Sequence, residues 1–135
     1  MYLLDTDVLS AARKLPPEHR VAQWLTVEIS RLHISTITVM EIERGIEKQR
    51  RVDPAFAGDL ETWLQAVLSV LDARVLPMTI ETAKRWGRLQ FQLGRTDSDL
   101  AIAATALEHN LTVVTRNVRH FDKTGVAILN PFDAA

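Results

Sequence analysis

Five short apolar runs, Tyr2 to Leu4, Leu32 to Ser35, Arg74 to Met78, Leu111 to Thr115 and Val126 to Leu129, alternate with longer segments whose apolar residues recur every three or four positions. Runs this short read as strands. A strand that is followed each time by a helical segment returns through a crossover and pairs in parallel. The alternation predicts an α/β fold: a single α/β/α sandwich with a central parallel sheet, spanning residues 1–135 as one domain. Leu60, Trp63, Leu64, Val67, Leu68 and Leu71 form the clearest amphipathic stripe, with Asp53-Pro54 as its start signal. Val21, Trp24, Leu25 and Ile29 mark a helix after Pro16-Pro17, and Val39 to Gln49 marks another. Thr79 is placed to cap the helix carrying Ala83, Trp86 and Leu89, and Gly94 to end it. Asp97 or Ser98 would cap the next, which His109-Asn110 closes.

The first strand stops at Asp5-Thr6-Asp7. An acid at the C-terminal end of a buried strand faces the crevice where α/β folds keep their chemistry. Glu41 follows the second run, and Asp99 opens the Leu100-Ala101-Ile102-Ala103-Ala104 helix. Each acid has an ordinary structural explanation. Asp5 or Asp7 could cap a short Val8 to Ala12 helix, and Thr38-Val39-Met40-Glu41 is a capping-box pattern. Asp99 stands in a first turn, where the macrodipole favours a carboxylate. Together, however, all three fall where the chain leaves a strand or enters a helix on one face. Three carboxylates at one sheet edge repel each other unless a cation joins them. A divalent metal site is the leading expectation.

Composition narrows the remaining choices. With 135 residues, 47% of them hydrophobic and 24% charged, the chain is long enough to bury a core and too apolar to stay disordered. A net charge of -1 gives no bulk attraction to nucleic acid, so any such site must be a local basic patch. The absence of cysteine excludes disulfides, thiolate zinc sites and a cysteine nucleophile. No basic segment precedes the first apolar run and no apolar stretch would span a bilayer, so a cytoplasmic protein without a membrane partner is expected.

Four ordered motifs carry a family resemblance: Leu3-Leu4-Asp5-Thr6-Asp7-Val8-Leu9; Ile34 to Glu41 with Gly45; Asp99 to Leu107; and Val113-Val114-Thr115-Arg116-Asn117 with Phe121. Together they resemble PIN-domain proteins, in particular VapC-type toxins of bacterial toxin–antitoxin pairs and their FitB-like branch. The resemblance runs from the first strand to Asn130-Pro131-Phe132. It implies an α/β/α sandwich, magnesium- or manganese-dependent endoribonuclease activity, a homodimer, and silencing by a cognate VapB-type antitoxin. The family's catalytic, metal-binding acids map onto Asp5, Glu41 and Asp99, and the fourth acidic position falls on Asn117. Many relatives carry Asp there, and many with Asn carry an Asp three residues later, where this chain has His120. Asn117 offers a neutral amide oxygen, His120 suits manganese better than magnesium, and Asp7 and Asp97 are spare carboxylates that could compensate.

The chemistry needs these residue types. Magnesium takes oxygen ligands, keeps several waters and is commonly held by one or two carboxylates plus substrate phosphate. Arg116, Arg119 and Lys123 follow the strand ending at Thr115, and Arg44 lies three residues after Glu41 on the same helical face. Arg44, Arg116 and Arg119 are the candidate RNA-phosphate contacts, whereas Lys48, Arg50 and Arg51 have the look of a solvated helix face. One Tyr and four Phe leave little for base stacking, which favours structured RNA read by shape. Two rival readings remain. Asp5-Thr6-Asp7 also suits a haloacid-dehalogenase-like phosphatase, although Leu9 stands where Thr is usual and no later paired-Asp motif follows a strand. The other rival is a degenerate PIN scaffold that binds RNA or a partner without cleavage. The Leu60 to Leu71 helix and its neighbour at Ala83 to Leu93 offer more apolar surface than one small sheet face covers, in keeping with a homodimer.

Overall fold

A computed structural model describes residues 1–133; the last two residues of the expected domain lie outside the described residues. Five parallel strands, β1 (Tyr2–Leu4), β2 (Leu32–Ser35), β3 (Val75–Leu76), β4 (Thr112–Val114) and β5 (Ile128–Leu129), lie in the order β3-β2-β1-β4-β5. Seven α-helices are described: α1 (Thr6–Ala12), α2 (Arg20–Val27), α3 (Thr36–Val52), α4 (Pro54–Leu71), α5 (Ile80–Leu93), α6 (Asp99–His109) and α7 (Val118–Phe121). From β1 the chain builds outward through β2 and β3, then returns to the other flank of β1 for β4 and β5. The connections therefore diverge between the C-terminal ends of β1 and β4, which is where such sheets open a crevice.

The two-residue period of the strands divides the core between the sheet's faces. Leu4, Leu32, Ile34 and Val114 pack with Val8, Ile42, Ile46, Leu64 and Leu71 on one side. Leu3 and Val113 pack with Leu89, Leu100, Ile102, Ala103 and Phe121 on the other. Helix α6 is buried without interruption from Leu100 to Ala106, and its alanines let it lie close against the sheet and α5. The α4 stripe turns inward: Leu64 and Leu71 are buried, while Leu60, Trp63, Val67 and Leu68 pack against the same core. Apolar residues left in solvent include Phe91, 90% exposed, and Ile80, 80% exposed, both on α5.

Several helix ends match their sequence signals. Asp53 accepts from the Phe56 N–H with Pro54 opening α4, Thr79 and Thr82 form a reciprocal cap on α5, and Gly94 ends α5 at φ 64°. Others depart from them. The Thr38-to-Glu41 capping box does not form, because α3 begins three residues earlier, with Ser35 Oγ accepting from the Ile37 N–H. Thr38 and Glu41 are thereby inside the helix. Asp5 occupies the N-cap position of α1 without a capping hydrogen bond from its side chain. Neither Asp97 nor Ser98 caps α6 through its side chain; Ser98 holds the N-cap position in a helical conformation, and Asp97 is paired with Arg95. The short helix α7 carried no advance signal, since four residues are too few to show a period.

Candidate metal centre and the groove beside it

Asp5 stands one residue past β1, at the point where the strand order reverses, and is 3% exposed. Its backbone N–H continues the ladder to the Val114 carbonyl at 2.9 Å. That register brings Thr115 alongside, and Thr115 Oγ1 donates to Asp5 Oδ2 at 2.8 Å. The Asn117 N–H donates in turn to Thr115 Oγ1 at 2.9 Å, so the turn after β4 orients the hydroxyl that orients the acid. Burial pushes the Asp5 carboxyl up to about 6; the Thr115 hydrogen bond opposes this, and the charges of Asp99 and Asp7 add to it.

Glu41 reaches the same edge from α3. The Thr6 hydroxyl lies 2.9 Å from the Thr38 hydroxyl and 3.0 Å from Glu41 Oε1. One hydroxyl proton cannot serve both, and a carboxylate only accepts, so Thr6 donates to Glu41. Asp99, in the first turn of α6, accepts from His120 Nδ1 at 2.7 Å through Oδ2, leaving its other oxygen available. Arg95 fastens this corner, gripping Asp97 at 2.8 and 2.7 Å and donating to the His120 carbonyl at 3.0 Å. The Arg95 hydrogen bond is the main reason that the Asp97 carboxyl lies below the usual carboxylate range.

The groove beside these acids measures about 620 Å³ and runs between α1, α3 and α4. Asp7 and Glu41 line it together with the cations Arg13, Lys14 and Arg116 and the apolar Phe56, Leu60, Trp63 and Phe132. Of the cations singled out from the sequence, Arg116 lines this groove, while Arg44 and Arg119 are exposed outside its lining. Asn117 and His120 are both exposed on the chain following β4. Sequence reasoning missed Thr6 and Thr115 as the hydroxyls holding Glu41 and Asp5, Thr38 as the partner of Thr6, and Arg13 and Lys14 as groove cations. The Arg13-Lys14 doublet directly after α1 was the available signal.

The donors suit a hard divalent cation. Asp5, Glu41 and Asp99 offer carboxylate oxygens, and burial, with a smaller contribution from the charges of Asp99 and Asp7, disfavours the bare Asp5 carboxylate. A tighter acidic trio lies elsewhere: oxygens of Glu43, Glu47 and Glu61 fall within 4.8 Å of one another on the exposed α3–α4 face. Arg50 already bridges Glu47 and Glu61 there.

The sheet reverses between β1 and β4, Asp99 and Asp7 lie close enough for their charges to act on Asp5, and Glu41 is tied to the first turn of α1 through Thr6. The family model for the PIN domain matches residues 2–127, and this chain belongs to that family. It is 33% identical to the VapC ribonuclease Y4jK of Sinorhizobium fredii, over the whole length of both chains. It is 31% identical to the toxin FitB of Neisseria gonorrhoeae, over 98% of this chain and 99% of that one. The solved structure of FitAcB from Neisseria gonorrhoeae superposes with a TM-score of 0.78 at 32% identity, covering 99% of this chain and 100% of the other. Membership of this family removes the phosphatase alternative.

Proposed function

We propose that this chain is a divalent-metal-dependent endoribonuclease that cuts structured RNA and serves as the toxin of a type II toxin–antitoxin pair. The observation that carries the reading is the buried Asp5 carboxyl, raised to about 6 at the sheet's reversal point beside Asp99 and Asp7. The ribonuclease and toxin names of two full-length relatives support the same class. Asp5, Glu41 and Asp99 would hold magnesium or manganese, with Asn117 as a neutral fourth donor. When bound, the ion acidifies a water and stabilises charge on the scissile phosphate and the leaving oxygen.

The chain's own residues prepare the site. Thr115 and Thr6 fix one oxygen each on Asp5 and Glu41, so the remaining oxygens keep a set direction before any ligand arrives. His120 does the same for Asp99, its Nδ1 already spent on the carboxylate. This favours an orienting role for His120 over ligation through Nδ1. Arg13, Lys14 and Arg116 line the path that an RNA backbone would follow toward Glu41, supplying the local basic patch that a net charge of -1 requires. The proposal extends to a VapB-type antitoxin partner, a homodimer through the α5 face, and a cytoplasmic site of action. No helix of the described residues is long and apolar enough to cross a membrane.

Purified protein incubated with total bacterial RNA and magnesium should release discrete fragments, and EDTA should stop the reaction. RNA that is bound but left uncut in both magnesium and manganese would identify the degenerate scaffold instead.

A further inference from the structure

Asp7 projects from the first turn of α1, and its carboxylate is already engaged. Arg116, two residues past β4, donates from Nε to Asp7 Oδ2 at 2.9 Å and from Nη2 to Asp7 Oδ1 at 3.0 Å. This two-point grip uses the guanidinium edge that the non-bridging oxygens of a phosphodiester would take, because carboxylate and phosphate present similar oxygen pairs. The plane of the guanidinium is fixed separately. It lies over the Phe132 ring at 4.8 Å from the centroid. The segment carrying Phe132 is strapped down by Arg20, which donates to the carbonyls of Pro131, Phe132 and Asp133 at 3.1, 2.8 and 2.9 Å. Removing Asp7 from the fork would therefore leave Arg116 stacked and still aimed into the groove that both residues line.

We propose that Arg116 is the phosphate-gripping residue of the substrate groove, and that Asp7 fills its fork in the free protein as an internal stand-in for RNA phosphate. RNA then binds by exchange: a backbone phosphate takes Arg116 and Asp7 is released. The inference rests on the endoribonuclease reading and deepens it. Exposure makes the exchange feasible. The two side chains are 42% and 39% exposed, so water and salt weaken the pair and a phosphate displaces it at small cost. The exchange is also selective, since an uncharged polymer cannot compete with a carboxylate for the fork.

The test is metal-free binding, read by fluorescence anisotropy of end-labelled bulk transfer RNA in EDTA. It compares the wild type, Asp7→Asn, Arg116→Ala, the double variant and Arg116→Lys. Asp7→Asn should bind about fivefold more tightly, the scale of an exposed ion pair. Arg116→Ala should bind more weakly and lower the salt slope by about 1. Arg116→Lys keeps the charge but lacks the fork, so it should lose most of the same affinity, and it carries the test if the alanine variant fails to fold. In the Arg116→Ala background the gain from Asp7→Asn should largely disappear. An equal gain in both backgrounds means that Asp7 acts through net charge alone and overturns the exchange, as does unchanged or weaker binding by Asp7→Asn. In those cases RNA is still bound and cut, and the endoribonuclease reading survives. If no variant binds RNA and the wild type with magnesium does not cut it, that reading fails and the exchange fails with it.

Discussion

Replacing Asp5 by Asn should make the metal-free protein more stable, although it removes a residue central to the proposed activity. The Asp5 carboxyl titrates near 3.8 in an unfolded chain and is raised to about 6 by burial in the folded one. At ~1.4 kcal/mol per pKa unit, the buried charge costs the folded state about 3 kcal/mol once pH is well above 6. The sign follows from proton counting. Between roughly pH 4 and 6 the folded state holds more protons than the unfolded state, so this group lowers stability as pH rises and the loss is complete above its folded pKa. About half of it should have developed by roughly pH 5. Asn keeps an oxygen that can accept from Thr115 and carries no charge, so the variant escapes the loss.

In EDTA at about pH 8, Asp5→Asn should therefore exceed the wild type by ~2–3 kcal/mol, or very roughly 6–10 °C in melting temperature for a domain of this size. The advantage should shrink to nothing near pH 4. Adding magnesium should stabilise the wild type through binding to the folded state and leave the variant nearly unmoved. Thermal melts across pH, with EDTA and with magnesium, measure all three effects. A variant no more stable than the wild type at about pH 8, or a difference that does not change with pH, would refute the assignment of Asp5 as an uncompensated buried acid.

Glu41→Gln and Asp99→Asn should each lower RNA cleavage by ~10²-fold or more, since a metal ion contributes several kcal/mol to the transition state; circular dichroism should show both folded. Asn117→Asp should tighten magnesium binding in calorimetric titration and lower stability in EDTA, and an unchanged affinity would place Asn117 outside the metal site. Phe91, 90% exposed on α5, should lie in the homodimer contact, so Phe91→Asp should shift sedimentation from dimer to monomer at micromolar concentration; a wild type that is already monomeric excludes the dimer.

The topology was legible because strands and helices differ in period and length, and all five strands lie within the apolar runs that announced them. What failed was local. Thr38-Val39-Met40-Glu41 satisfies the spacing of a capping box, but Ser35 reaches the Ile37 N–H first and starts the helix three residues earlier. Spacing alone cannot choose between two competing caps; the strand's exit position decides. Asp5 and Glu41 were readable as candidate acids because Asp5 directly follows β1 and Glu41 follows the second apolar run. The threonines that hold them were not, because a hydroxyl's partner depends on strand pairing. Thr115 lies 110 residues from Asp5 in sequence and becomes its neighbour only through the β1–β4 register.

Energetics, more than proximity, separates the candidate metal centre from the other acidic group. Glu43, Glu47 and Glu61 bring their oxygens within 4.8 Å, yet all three are exposed and Arg50 pairs with two of them. Water and a neighbouring guanidinium already stabilise that charge, so a cation would gain little by joining it. Asp5 is in the opposite position. It has been removed from water, its one side-chain donor is a neutral hydroxyl, and Asp99 and Asp7 increase the repulsion. At neutral pH a divalent cation relieves burial and repulsion together, whereas the Arg116 charge is already committed to Asp7. When substrate phosphate takes the Arg116 fork, Asp7 loses its counter-charge and the phosphate brings a further negative charge beside the acids. A bound divalent ion then becomes the counter-charge on which both phosphate and carboxylates depend. On this reasoning RNA and metal should bind cooperatively, each tightening the other by the same factor.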